Sequence, residues 1–426
     1  VPQPVYMLKQ SLSFYNNIKN FFFPFYKDKE LKSVFKILQE GYPKEKITAR
    51  FVGGCVRKFL SGERVDDIDV ATILTTNEIK ERFKDSKYKV IDSGIKHGTV
   101  TLASDKNKFE LTTLRKDVKT DGRHADVEYV SDWKLDSERR DFTINAIYLD
   151  INGNIFDPQL GTLDLKNNNV KFIGDPNTRI QEDYLRIIRL LRFAVQYDSS
   201  NDKATIDSIK SNLDGINKIS KERIYSELKK MLSLKNFDNI LNHPNKMEIF
   251  LLIFPELKYI KRLEKLKKIK KYFKTNSDNL LAILITDGSD NFEYFGYKFN
   301  ISNNSKDFLK KYNTCFKIIE KDKKFFKQDL NKNIYIYGKE KMYFLLALNF
   351  TENSKLKFNE FLNLKKKIDS YKISKLPFDG KYLMENGLNE GILVGKVLKK
   401  IEKEWVNNNF KISEDRVKEI VKLNTN

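Results

Sequence analysis

Near residue 175 the chain changes its period, and that change limits the folds open to it. Before it, short β-branched segments alternate with turns: 89–91, 98–102, 109–114 and 144–151. Alternation at period two suits strands that are half-buried in a sheet. After it, apolar residues recur every three or four positions, over 181–196 and 221–234 among others. That is the pattern of amphipathic helices. The expected fold class is α+β: an N-terminal head with a mixed or antiparallel sheet and helices, then an all-helical remainder. With 426 residues the chain has room for about two to four domains. The stretch 287–306 is rich in Gly, Asn and Ser and is expected to connect helical subdomains.

Inside the head, Gly53-Gly54-Cys55-Val56-Arg57 precedes Asp67-Ile68-Asp69. On an extended strand, alternate side chains share a face, so Asp67 and Asp69 are expected to point the same way. Two converging carboxylates repel unless a cation lies between them, and hard oxygen ligands suit Mg²⁺. Glycines lack a Cβ, so Gly53 and Gly54 let backbone N–H groups approach an anion, and Arg57 adds charge where a phosphate would lie. A metal pair beside a phosphate cradle is the apparatus of phosphoryl or nucleotidyl transfer. Glu110, on the candidate strand 109–114, is either a third acid brought to this pair by the sheet or an outward-facing strand residue.

Two later segments concentrate hydrogen-bonding groups. Arg139-Arg140-Asp141-Phe142-Thr143-Ile144-Asn145-Ala146 combines two guanidinium groups, a carboxylate and an amide. Arginine suits bidentate phosphate contact, and Asp141 and Asn145 can bond to ribose hydroxyls. In the expected helix 181–196, Asp183, Arg186, Arg189 and Arg192 step by three along one ridge, opposite an apolar stripe of Leu185, Ile188, Leu191 and Val195. A carboxylate accepts from an exocyclic amino group and a guanidinium donates to a ring nitrogen or carbonyl. Asp183 and Arg186 together can therefore match a base edge, with Arg189 and Arg192 left for a triphosphate. A plain salt-bridge ladder is the competing reading. His97, His124 and His243 are too dispersed for a metal cluster.

Charge bears on the partner. Lys plus Arg number 79 against 58 Asp plus Glu, a formal charge of +21, which favours a polyanion such as nucleic acid. The excess is dense at 256–274, where a single helix is expected with Leu257, Ile260, Leu263, Leu266, Ile269 and Phe273 on its buried face. Two cysteines, Cys55 and Cys315, exclude a disulfide framework and imply a reducing intracellular compartment, expected to be cytoplasmic. No apolar run reaches the length of a membrane span. The first 27 residues carry Lys9, Lys19 and Lys27 but no acid. They read as an arm packed on the head, or as an organellar transit segment, which is usually richer in Arg.

These blocks, in this order, resemble the class II CCA-adding tRNA nucleotidyltransferases and their relatives the bacterial poly(A) polymerases, most densely over residues 50–235. The resemblance implies that Asp67 and Asp69 bind the catalytic Mg²⁺ ions; Glu110 stands with them as a candidate catalytic residue on the strand argument alone. The resemblance also implies that Gly53, Gly54, Arg57, Arg140, Arg189 and Arg192 hold the triphosphate, that 139–146 favours ribonucleotides, and that Asp183 and Arg186 read the base. Residues 157–165, with Gly161 and Asp164, are similar to a hinge between head and neck, and 219–228 to a bracing helix. Residues 115–130, with Asp121-Gly122-Arg123, are similar to a mobile loop needed for terminal A addition. Residues 376–380, with Gly391, Gly395 and Trp405, are similar to a tRNA-contacting C-terminal region. The domains so implied are an arm (1–30), a nucleotidyltransferase head (31–175), and a helical neck (176–240), body (241–330) and tail (331–426). The implied partners are CTP, ATP and the tRNA 3′ end. Tyr184 is similar to the CCA group, where poly(A) enzymes tend to carry Pro. Lys58 departs from the family, which usually has Asp there. The oligomeric state is open.

Overall fold

The computed structural model describes residues 24–425 apart from residues 122, 123, 274, 323 and 373. Most of the expected arm, together with Gly122 and Arg123 of the expected loop, lies outside the described residues. The chain forms two compact units that divide between Ile253 and Phe254.

The first unit is built on a seven-stranded sheet in the order β3-β4-β5-β2-β1-β8-β9. Its strands are β1 (Ala49–Val52), β2 (Asp69–Thr72), β3 (Lys89–Gly94), β4 (Thr99–Ala103), β5 (Lys108–Thr113), β8 (Tyr148–Leu149) and β9 (Ile155–Phe156). β2 and β5 run parallel and the other described pairs antiparallel, so the sheet is mixed. One face carries the core. Phe51, Val70, Val100, Leu102, Phe109 and Leu111 bury against α1 (Lys29–Gln39), which contributes Leu31, Val34, Phe35 and Leu38 at helical spacing. Asp28 caps α1 by accepting from the N–H groups of Glu30 and Leu31. The chain then adds α2 (Gly54–Leu60) and α3 (Thr76–Phe83), and β6 (Arg115–Asp121) pairs with β7 (His124–Tyr129) as a separate ribbon. After α4 (Trp133–Glu138), the expected strand over 144–151 shrinks to Tyr148–Leu149, because Thr143–Asn145 close a 3₁₀ turn instead. α5 (Gly161–Lys166) packs against that turn so closely that a Cβ on Gly161 would lie 2.1 Å from the Thr143 carbonyl oxygen.

Five further α-helices complete this unit: α6 (Pro176–Glu182), α7 (Leu185–Gln196), α8 (Lys203–Ser211), α9 (Lys221–Leu232) and α10 (Pro244–Ile253). The expected single helix over 181–196 is broken. Asp183 is extended (φ −155°, ψ 103°), and its carboxylate accepts from the Leu185 N–H, so it starts α7 from outside instead of sharing a ridge with Arg186. The apolar stripe is wider than expected, since Ile187, Leu190, Phe193 and Ala194 are buried along with Leu185, Ile188, Leu191 and Val195.

The second unit is helical throughout its described residues. It begins with α11 (Arg262–Ile269), α12 (Ser277–Ile285), α13 (Asn291–Lys298), α14 (Asn303–Lys321) and α15 (Leu330–Tyr337). It continues with α16 (Lys339–Glu352), α17 (Phe358–Ser370), α18 (Gly380–Glu385), α19 (Ile392–Asn407) and α20 (Glu414–Lys422). The basic segment 256–274 is not one helix. Pro255–Leu257 form a 3₁₀ turn and only Arg262–Ile269 are α-helical, although all six apolar residues bury as expected. Residues 287–306 are not a linker either: α13 lies inside them on buried Phe292 and Phe295, and Ser302 caps the helix that follows. There the Ser and Asn content supplies helix ends. No described helix is long and apolar enough to cross a membrane.

Candidate active site

Register brings the acids together. Asp69 opens β2 and pairs directly with Glu110 of the parallel strand β5. In β5 the residues Phe109, Leu111 and Thr113 are buried and Glu110 faces out, so the carboxylates share the sheet face opposite the core. Glu110 is therefore both an outward-facing strand residue and a neighbour of Asp69. Asp67 lies before the strand, not on it, with its side chain 85% exposed, yet close enough for its charge to act on Asp69. Burial is the largest influence on the Asp69 carboxyl and Glu110 the next; they push it up to about 6. Lys58 holds the loop before it, pairing with Asp66 and standing 3.9 Å from Asp67 Oδ2.

Above these acids is a cavity of ≈ 440 Å³ whose lining includes Asp69, Glu110, Thr112, Arg115, Arg139 and Arg140. Gly53, next to the cavity-lining Val52 in sequence, has φ +72°, a conformation that favours glycine. A Cβ there would sit 3.8 Å from Asp69 Oδ2 and 4.0 Å from Arg140 Nη1, while nothing stands within 4 Å of one placed on Gly54. A side chain at Gly53 would therefore crowd the space between Asp69 and Arg140, whereas the space beside Gly54 is open.

The arginine wall is organised by Asp136, which is fully buried. It accepts from Arg139 Nη2 at 2.7 Å, Arg140 Nη2 at 2.9 Å, the Tyr148 hydroxyl at 2.7 Å and the Arg115 N–H at 3.2 Å. Although burial opposes it, Arg140 and Arg139 hold its carboxyl far below the usual range. No local pattern marked Asp136. Only the surplus of arginines at 139–140 hinted that a buried acid was needed.

A second chain of polar contacts joins head to neck. Asn145 accepts from Arg57 and donates to Asp141 at 2.9 Å; Asp141 in turn accepts from Arg189 Nη2 at 2.6 Å. Burial works against ionisation of Asp141, but Arg189 and Asn145 bring its carboxyl down to about 2. Arg57, itself buried, also donates to the Tyr197 hydroxyl at 2.9 Å and lies over the Phe193 ring. Arg192 donates to buried Glu227 at 2.8 Å. Arg57, Arg189 and Arg192 are thus each oriented by protein groups, as Arg140 is by Asp136 and Tyr148. The base-reading candidates are braced too: Asp183 accepts from Arg223 Nη2 at 2.6 Å, and Arg186 donates to Glu182 and, at 2.9 Å, to the Arg179 carbonyl. Arg223 and Glu227 lie in 219–228, the segment expected to brace, but the sequence does not assign their individual partners, nor that of Glu182, because those partners lie on other helices or across a helix break.

Comparisons with known proteins agree with this architecture. The family model described as "Poly A polymerase head domain" matches residues 49–171, and "Probable RNA and SrmB- binding site of polymerase A" matches 202–261. CCA tRNA nucleotidyltransferase 1, mitochondrial, of Danio rerio is 45% identical over 214 residues, 48% of this chain. The match covers 50% of that relative, so the chain spans about half of its length. The Homo sapiens protein of the same name is 32% identical over 409 residues, 92% of each chain. The solved CCA-adding enzyme of Bacillus stearothermophilus in complex with CTP has the same fold, with TM-score 0.70 and 23% identity over 93% of this chain and 98% of that one. With Asp69, Glu110 and the arginine wall inside the matched head, the chain belongs to the CCA tRNA nucleotidyltransferase family.

Proposed function

We propose that this protein adds C, C and A to tRNA 3′ ends from CTP and ATP without a template, releasing pyrophosphate. The observation that carries the reading is the cavity with Asp69 and Glu110 on one side and Arg115, Arg139 and Arg140 on another. It suits a reaction in which metal and polyphosphate meet. The carboxylates fit a divalent cation, since burial and Glu110 push the Asp69 carboxyl up to about 6 against the opposing charges of Arg140 and Lys58, a penalty such an ion relieves. We assign Mg²⁺, which needs only one or two protein carboxylates beside substrate phosphates, to Asp67 and Asp69. When bound, it supplies a lowered pKa for the primer 3′-hydroxyl and charge stabilisation for the departing pyrophosphate.

The chain's own groups do the rest. Backbone at Gly53 and Gly54 and the guanidinium of Arg140 receive the phosphates. Asp183 and Arg186 choose the base. A carboxylate oxygen has more than one lone pair, so Asp183 can accept from a base amino group while Arg223 keeps it in place. A site built of such groups rejects a base that leaves them unpaired. Arg57, Arg189 and Arg192, oriented by Asn145, Asp141 and Glu227, join Arg140 in holding the triphosphate, and the basic charge serves the tRNA. The domain limits 31–175, 176–240, 241–330 and 331–426 remain part of the proposal. So does the compartment, cytoplasmic or an organellar matrix, the latter in line with the mitochondrial names of the relatives.

The test is to incubate the protein with tRNA transcripts lacking the terminal CCA, Mg²⁺, CTP and ATP. Growth by three nucleotides followed by arrest is expected. A long A tail would favour a poly(A) polymerase, the reading that the head-domain description supports. Full function in Asp67→Ala and Asp69→Ala would instead favour an RNA-binding relative without catalysis.

A further inference from the structure

We propose that Arg115 is a further contact for the metal-chelated polyphosphate of the incoming nucleotide and departing pyrophosphate, placed at the root of the β6–β7 ribbon so that the phosphates and the ribbon bear on one residue. The proposal rests on the nucleotidyl-transfer reading above and adds a residue to it.

Arg115 is the first residue of β6, pairing with Tyr129 of β7, and its backbone is fixed on the head. Its N–H donates to Asp136 at 3.2 Å, its carbonyl accepts from Arg139 Nε at 3.0 Å, and Leu114 before it donates to the Thr72 carbonyl at 2.7 Å. The main chain therefore cannot swing away, and the guanidinium is delivered to the cavity that holds Asp69 and Glu110.

The three guanidinium groups of the cavity are not equivalent. Arg139 and Arg140 share both oxygens of Asp136 in ion pairs of 2.7 and 2.9 Å. The Arg115 guanidinium has no carboxylate within hydrogen-bonding distance among the described residues; its ion pair is the looser one with Asp117. Its Nη1 donates to the His97 carbonyl, a neutral acceptor. Its Nε is shut off from solvent without a hydrogen bond, with Asp117 Oδ1 3.7 Å away, beyond bonding reach and likewise without a hydrogen bond. A guanidinium so placed is short of anionic acceptors, and a buried donor left unmade costs stability. Burial first, and crowding by Arg139 next, bring its pKa down to about 10, although Asp117 and Asp136 oppose the change. The surplus cation looks into a cavity shared with two carboxylates, so an anion arriving alone would meet repulsion there. One arriving with divalent cations would neutralise both sides, and a chelated triphosphate or pyrophosphate has that chemistry.

The experiment uses inorganic pyrophosphate with Mg²⁺, titrated calorimetrically into the full chain, with AMP as a control that carries a single phosphate. Arg115→Met is expected to weaken pyrophosphate binding about tenfold or more and AMP binding less than about threefold, since charged hydrogen bonds carry roughly 1.5–3 kcal/mol. Arg115→Lys, which keeps the charge but not the planar fork, is expected to fall between. A thermal melt of each variant shows that the fold is intact. If Arg115→Met does not fold, Arg115→Lys carries the test alone, and wild-type pyrophosphate affinity in it overturns the proposal. Wild-type pyrophosphate affinity in a folded Arg115→Met overturns it as well, as does equal loss of AMP. The measurement needs no tRNA. Arg115-dependent pyrophosphate binding in a protein that fails to extend tRNA would remove the CCA reading and leave this one standing.

Discussion

Asp136→Asn tests the claim that one buried carboxylate holds the arginine wall together. The substitution keeps size and shape but removes the charge and replaces one acceptor oxygen with a donating NH₂. Arg139 and Arg140 place donors at 2.7–3.2 Å from the two carboxylate oxygens, so in either amide orientation donors face donors on one side. Two guanidinium groups would be left partly buried without their counter-charge. Breaking a buried pair by removing one partner costs about 3–5 kcal/mol, or roughly 6–20 °C in Tm for a cooperative unit of about 200 residues. Urea denaturation at pH 7, followed by circular dichroism, measures it. The pH dependence supplies an independent arm. Because the folded-state pKa of Asp136 is depressed, its contribution is complete above the ordinary carboxylate value near 3.9 and is lost as pH falls from there through the folded value. The variant should therefore lie well below wild type at pH 7 and approach it in strong acid. A loss under about 1 kcal/mol at pH 7, or a gap that widens on acidification, would refute the reasoning.

Asp69→Asn should abolish nucleotide incorporation while stabilising the metal-free protein at pH 7. A carboxyl raised to about 6 costs folding free energy above that pH, and the cost fades between 6 and 3.8; about 1–2 kcal/mol is expected in urea at pH 7 and none at pH 3.5. Gly215→Ala places a Cβ 2.0 Å from the Tyr184 ring, which should cost about 1–3 kcal/mol and, by moving the turn at Asp183, raise misincorporation of UTP in a primer-extension assay. Lys246 is buried beneath α7, donates to the Ala194 carbonyl at 3.2 Å, and has its pKa lowered by burial to about 8. Its penalty is present below pH 8 and fades as pH rises toward 10.5, so Lys246→Met should melt higher than wild type at pH 7 and converge with it near pH 10.

The division into a mixed-sheet head and helical remainder could be read from hydrophobic period, because period reports on which face of each element is buried. The acidic block could be read from the order and spacing of its residues, but its geometry could not. Asp67 and Asp69 share a strand only if the strand begins early enough, and the chain stays irregular until Asp69. Whether Glu110 joined them depended on the register of β2 against β5, a pairing of residues 41 positions apart that neither segment encodes locally. The helix over 181–196 failed for a related reason. Its apolar spacing continues across Asp183, whereas the break comes from that residue's bond to the Leu185 N–H and its ion pair with Arg223 on α9. Where a polar residue can bond either to its own backbone or to a distant partner, periodicity does not decide the outcome.

Folding acts in opposite senses on two sets of charged groups in the first unit. Asp136, Asp141 and Glu227 are held in their ionised form by the arginines around them despite their burial. Their ionisation is favoured by folding, so they lend stability near neutral pH. Asp69 and Arg115 are the reverse: burial and like-charged neighbours oppose the charge each carries. A fold selected only for stability would have little reason to keep them, since an apolar residue of similar shape at either place removes a penalty. Both line the same cavity, and their unfavourable charges are opposite in sign. A ligand that brings divalent cations to one and phosphate oxygens to the other lowers both penalties at once, so part of its binding free energy comes from relieving the empty site. The Asp136 cluster and the Arg57–Asn145–Asp141–Arg189 chain then have a mechanical purpose. They keep mutually repelling groups from relaxing apart before the substrate arrives, which is what preorganisation requires of the surrounding structure.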